Sequence, residues 1–143
     1  MSLYILDTDH VSLFQKRHPF VTQRIGKVNS ENLRTTIVTV EEQIRGRFNV
    51  IKRASSGGKL IRAYTALQTS VAYFNTIQIL PFDEAANAHY ERLRKQKIRI
   101  GTQDLRIAAI ALSVNGTVVT RNWKDFEKVP NLTLEDWTIA QAI

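Results

Sequence analysis

The sequence predicts an α/β fold in which a parallel β-sheet is covered by helices on both faces. Strand-like and helix-like segments alternate along the chain. Most of the strand-like segments are continuous apolar or β-branched runs, the pattern of strands buried on both sides. The 143 residues include 43% hydrophobic side chains, enough for one ordinary core, with no internal repeat or low-complexity stretch. One domain over residues 1–143 is expected.

The elements follow in order. Leu3 to Leu6 is a short buried strand, and Thr8 or Asp9 stands where it caps a helix carrying Val11, Leu13 and Phe14. A second short helix runs from Pro19 to Val28. The stretch TTIVTV, Thr35 to Val40, is β-branched throughout and reads as the second strand. It leads into EEQIRGRFNVIKRA, whose Ile44, Phe48 and Ile51 share one helical face. Ser55-Ser56-Gly57-Gly58 marks a turn, followed by a helix from Lys59 to Phe74 and a strand from Ile77 to Leu80. Asp83 caps the helix EAANAHYERLRKQ. After the turn at Ile98 to Gly101, Thr102 opens QDLRIAAIALSV, an apolar helix closed by Asn115-Gly116. Thr117 to Thr120 is a strand, and Leu132 to Trp137 a last short one.

Composition narrows the chemistry. There is no cysteine, and His10, His18 and His89 show no metal-ligand spacing, so a zinc site of thiolates is excluded. Any metal must be a hard one held by oxygen. The longest uncharged stretch, Ala63 to Phe82, is broken by Gln68, Asn75, Gln78 and Pro81, so no membrane span or signal peptide is read, and a cytoplasmic protein is expected. Twenty Lys and Arg against 13 Asp and Glu give a net charge of +7, which favours polyanionic partners. No acid occurs between Glu42 and Asp83, where Arg45, Arg47, Lys52, Arg53, Lys59 and Arg62 fall, and a second basic run spans Arg92 to Arg99. Either run alone reads as the solvated face of a helix. Two of them in a small basic protein favour nucleic acid.

Ligands of an open parallel sheet bind beyond the carboxyl ends of the strands. Asp7 and Asp9 follow the first strand, Glu41 and Glu42 the second, and Asn122 and Asp125 follow TVVT. Asp104 lies in the first turn of the apolar helix that leads into TVVT. If that helix starts at the same sheet edge, Asp7, Glu42, Asp104 and Asp125 converge. Gathered carboxylates repel one another and take up protons unless a cation neutralises them, and Mg²⁺ or Mn²⁺ suits an oxygen-only site. Each acid also has a structural reading. Thr39 to Glu42 forms a capping box with Thr39 as N-cap, Asp104 favours a helix dipole, Asp125 fits a loop turn, and Asp9 an N-cap. Asp7 has the weakest such reading, since it ends a buried strand that Thr8 or Asp9 relieves of capping. Trp123 stands beside the acids, where it packs on a loop or stacks on a base.

The opening LYILDTDHV also fits the first motif of haloacid-dehalogenase-type phosphatases, but GTQD and TRNWKD supply neither the later lysine nor the acid pair those enzymes need. A non-enzymatic alternative is a basic module that binds nucleic acid or an antitoxin and whose acids only cap helices. A broader resemblance covers residues 3 to 137. LDTD, TVEEQIRG, IGTQDLRIAAIAL and VVTRNWKDFEKVPNLTLEDW, in that order, are similar to the PIN domain, specifically the VapC-type toxins of bacterial toxin–antitoxin pairs. The resemblance implies a three-layer α/β/α fold around a parallel sheet of four or five strands. It implies a Mg²⁺- or Mn²⁺-dependent endoribonuclease, often a homodimer, held inactive by a cognate antitoxin. It implies Asp7, Glu42, Asp104 and Asp125 as the catalytic, metal-holding acids. Glu42 is chosen over Glu41 because Gly46 completes the family's E-x-x-x-G. Relatives place the fourth acid at Asn122 or Asp125, and only Asp125 is a carboxylate here, leaving Asn122 and Thr120 as polar support. Asp9 stands where many relatives carry Asn. For RNA phosphates, Arg45 and Arg47 or the run of Arg92, Arg94, Lys95, Lys97 and Arg99 are the candidates.

Overall fold

The computed structural model describes residues 2–140. Five strands form one parallel sheet: β1 (Tyr4–Leu6), β2 (Leu33–Thr36), β3 (Gln78–Leu80), β4 (Thr117–Val119) and β5 (Thr133–Glu135). Their order across the sheet is β3-β2-β1-β4-β5, with Ile5 opposite both Arg34 and Val118. The chain begins in the middle of the sheet and completes it outward on both sides. Helices α1 (Thr8–Gln15) and α2 (Pro19–Lys27) follow β1; α3 (Ile37–Arg53) and α4 (Gly57–Phe74) follow β2. Helices α5 (Glu84–Lys95) and α6 (Thr102–Ser113) join β3 to β4, and a single turn, α7 (Trp123–Phe126), precedes β5.

Side chains alternate across the central strands, as the two-residue period of a strand demands. Ile5 and Val118 enter a cluster with Leu93, Leu105, Ile107, Ile110 and Phe126, under α5 and α6. Leu6 and Val119 enter the opposite cluster with Val11, Val21, Phe74 and Trp137. Both faces of the sheet are therefore covered, and the α/β/α layering expected from the sequence is present. The α6–β4 turn depends on two neighbours. Asn115 takes the left-handed conformation, with φ of 56°. A Cβ on Gly116 would come 2.7 Å from the Ile5 Cδ1 atom, so any larger residue has to push the buried Ile5 side chain aside.

The expected second strand is displaced. It ends at Thr36, and Ile37 already starts α3, because the Thr36 hydroxyl accepts a hydrogen bond from the Thr39 N–H at 3.1 Å and caps the helix. The β-branched Ile37, Val38 and Val40 are helical: burial of Val38 in the core outweighs their strand preference. The capping box is thereby corrected, since Thr39 lies in the first turn instead of capping it. The N-cap of α1 is likewise Asp7, with Thr8 and Asp9 inside the helix. The residues TRNWKDF, read as loop, include the one-turn α7.

Candidate active site

The carboxyl ends of β1, β2 and β4 lie side by side, and the helix starts above them carry the acids. Asp7 follows Leu6, and its backbone N–H continues the ladder to the Val119 carbonyl at 3.0 Å, so the strand itself holds it in place. Its side chain is 6% exposed. One carboxylate oxygen accepts from the Thr8 N–H and the other from the Thr120 hydroxyl, each at 2.8 Å. Thr120 is fixed in turn, because its oxygen accepts from the Asn122 N–H at 3.0 Å.

Asp104 stands in the first turn of α6 and Asp125 in α7, and Asn122 ties them together. Its amide nitrogen donates to Asp104 Oδ2 at 3.2 Å and to Asp125 Oδ2 at 3.1 Å. A carboxylate at position 122 would face two like charges; the amide supplies two protons instead. Glu42, one turn into α3, accepts from the Thr8 hydroxyl at 2.8 Å. Glu41 points elsewhere, pairing with Arg45 at 2.7 Å and accepting from Gln103 at 2.8 Å. Asp9 accepts from the Arg121 N–H at 3.0 Å and contacts the Nδ1 of the fully buried His10 at 2.8 Å. The Nε2 of His10 accepts from the Trp137 N–H at 3.1 Å.

The charges feel one another. Burial, then the neighbouring charge of Asp9, pushes the Asp7 carboxyl up to about 7, with Asp104 adding to it against the two hydrogen bonds that oppose the shift. Burial, followed by Glu42 and Asp125, pushes Asp104 up to about 6. Asp7, Glu42, Asp104 and Asp125 thus occupy one sheet end, with Asp9 as a fifth negative group. They do not close into a finished cage: among the described residues, no three His, Asp or Glu side chains are arranged to hold a metal ion by themselves. An all-oxygen set of this kind fits a hard divalent ion that keeps several waters and takes one or two carboxylates directly. Nitrogen- or sulfur-seeking metals do not fit it.

Sequence reasoning did not single out Thr8 as the partner of Glu42; the signal was its place between two acids at the strand tip. Nor did it anticipate the His10 link to the chain's last segment, because a lone histidine carries no pattern. Arg47 faces the space beside Glu42, donating to Ser70 at 2.9 Å and Gln15 at 3.0 Å. Arg45 is exposed and paired with Glu41. Arg92, Arg94, Lys95, Lys97 and Arg99 are exposed at the end of α5 and in the turn to α6. Trp123 is 43% exposed beside Asn122. Among the described residues no lysine pairs with Asp7, so the partner that the phosphatase reading needs is missing there.

Comparison with known proteins places this arrangement in context. Residues 4–132 match the PIN domain family. The chain is similar to Ribonuclease VapC1 of Haemophilus influenzae strain R2866, 32% identical over 140 residues, which is 95% of this chain and 98% of the relative. It is also similar to the tRNA(fMet)-specific endonuclease VapC of Salmonella typhimurium, 30% identical over 118 residues, covering 71% and 89% of the two chains. Among solved structures, VapBC-1 from nontypeable Haemophilus influenzae superimposes with a TM-score of 0.76 at 27% identity, over 96% of this chain and 99% of the other.

Proposed function

The chain belongs to the PIN domain family, and from that premise we propose that it is the endoribonuclease toxin of a toxin–antitoxin pair, cutting RNA phosphodiesters with the help of Mg²⁺ or Mn²⁺. The observation that carries the mechanism is Asp7: a carboxylate at the tip of a central strand, 6% exposed, with further acids as its neighbours. Capping α1 and accepting from Thr120 occupy part of this carboxylate, but neither offsets the repulsion of the neighbouring acids, whereas a divalent cation does.

In this reading Asp7, Glu42, Asp104 and Asp125 would together hold the ion, directly or through water. When bound, the ion lowers the pKa of a coordinated water and offsets charge on the phosphate oxygens. The protein's own groups orient the site. The Thr120 hydroxyl, itself fixed by the Asn122 N–H, leaves Asp7 one favoured direction for its free lone pairs. Asn122 keeps Asp104 and Asp125 together despite their repulsion. The Thr8 hydroxyl holds Glu42 toward the strand tip. Asp9 adds negative charge next to Asp7 and, through the Arg121 N–H, steadies the loop that carries Thr120 and Asn122. A cognate antitoxin, self-association into a homodimer and a bacterial cytoplasm are the setting this reading implies. Among the described residues no helix is long and apolar enough to cross a membrane.

The test is direct. Labelled total RNA is incubated with the protein in Mg²⁺, in Mn²⁺ or in chelator, and the new ends are mapped. Cleavage is expected with either ion and none with chelator. Asp7→Asn, with the fold intact by circular dichroism, is expected to reduce cleavage by about a hundred- to a thousandfold, the scale of losing a principal electrostatic element. Cutting by Asp7→Asn at the wild-type rate would overturn the assignment.

A further inference from the structure

A groove of roughly 790 Å³ opens between α1, α3 and α4, and Thr8 and Glu42 stand in its wall at the acidic end. Lys16, Arg47, Arg53 and Arg62 line the rest, from the C-cap of α1 and from α3 and α4. A second hollow of roughly 270 Å³ shares Val50, Arg53 and Arg62 with it and adds Lys59. Glu42 is the sole acid in either wall. Among the described residues, none of the five cations has a carboxylate within ion-pair distance. Arg47 is moreover held in place, its Nε donating to Ser70 and its Nη2 to Gln15. Along α3 the eleven steps from Glu42 to Arg53 span about 16 Å, longer than one phosphate needs.

The floor of the groove includes Gly46. A glycine inside a helix costs stability, and nothing nearby demands one: a Cβ there would meet no atom within 4 Å, and its φ is ordinary. What its missing side chain leaves is depth, in the wall that faces the unpaired cations.

Resting on the function proposed above, we infer that this groove holds the RNA strand flanking the cut, with Lys16, Arg47, Arg53 and Arg62 taking successive phosphates and Gly46 letting the backbone approach. The occupant is a polyanion, since unpaired cations line the groove. It is RNA and not an acidic peptide because the groove runs into the carboxylates. A glutamate side chain arriving there meets like charge, whereas a phosphodiester is what the site acts on. The exposed run at the end of α5 lines neither hollow, so it lies outside the track.

The test uses the full chain carrying Asp7→Asn, in Mg²⁺, titrated with short labelled single-stranded RNAs of several sequences over a range of salt. Adding Arg53→Gln and Arg62→Gln is expected to weaken every RNA about tenfold and to flatten the slope of log affinity against log salt by about 0.7 per residue. Gly46→Leu, which fills the floor, is expected to weaken binding with the slope unchanged. Lys27→Gln on α2, an exposed cation away from the groove, is the control and keeps both values. With Asp7 restored, the double arginine variant is expected to raise KM and leave kcat, the mark of lost uniform binding. Unchanged affinity and slope in a chain that still cuts RNA would overturn the groove assignment alone. So would a double variant that loses affinity for a poly-glutamate peptide while binding RNA normally. A wild-type chain that neither binds nor cuts RNA would overturn this inference together with the function it rests on.

Discussion

Asp7 holds its proton in the folded chain up to about pH 7, whereas in the unfolded chain it loses it near 3.8. Between these values the folded state binds more protons than the unfolded one, so in chelator stability falls as pH rises through that window. Asp104, pushed up to about 6, acts in the same direction. For Asp7 the full effect is on the order of 4 kcal/mol. Asp7→Asn removes it, so in chelator the variant is expected to melt above the wild type at pH 8, with the gap closing toward pH 4.5; melts at the two pH values with equal gaps would contradict it. The Asp7 position was legible in the sequence, because an acid ending an apolar run is conspicuous. Its role as the N-cap of α1 was not, since Thr8 and Asp9 are equally good caps by residue type and only the backbone decides. The Asn122 bridge was out of reach for another reason: it joins α6 to α7 through side-chain geometry, not through spacing.

At the scale of an element, α3 carries more function than its boundaries suggested. Thr36 caps it one turn earlier than the Thr39 box implied, which buries Thr39 beneath Thr8 and sets Glu42 in the second turn, facing the strand tip. The sequence supported both positions, because TTIVTV is at once a β-branched run and a helix start with hydroxyls three residues apart. Packing of Val38 and the end of the β2 ladder at Thr36 chose between them. Gly46 gives a prediction at this scale. Alanine at that position adds no clash and removes the entropy cost of glycine, so Gly46→Ala is expected to stabilise the chain by about 0.5–1 kcal/mol, read from denaturant midpoints. Destabilisation would mean that the helix needs glycine for its own sake. The groove itself was invisible in the sequence, since Lys16 at the end of α1, Arg53 on α3 and Arg62 on α4 are brought together only by the fold.

Over the whole molecule, the α/β class was legible because apolar and β-branched runs alternate with helical segments, while the order β3-β2-β1-β4-β5 follows from packing that no local pattern records. The family resemblance was legible from four motifs that lie far apart in the chain and meet at one sheet end. A bound ion stabilises the native state by an amount that grows with the logarithm of its concentration relative to its dissociation constant. Addition of Mn²⁺ is therefore expected to raise the melting temperature of the wild type more at pH 8 than at pH 5, where protonated carboxyls compete, and to have a smaller effect on Asp7→Asn. No shift at either pH would argue against a cation site. The strand order also bears on how the chain emerges during synthesis. Asp7 leaves the ribosome before its partners, since the Thr120 hydroxyl and the Val119 carbonyl that its N–H meets are made more than a hundred residues later, with Asp125 and the Trp137 contact to His10 later still. A nascent or prematurely terminated chain carries the first acid without its setting. The acidic end of the sheet is thereby complete only once Thr120 and Asp125 have been made.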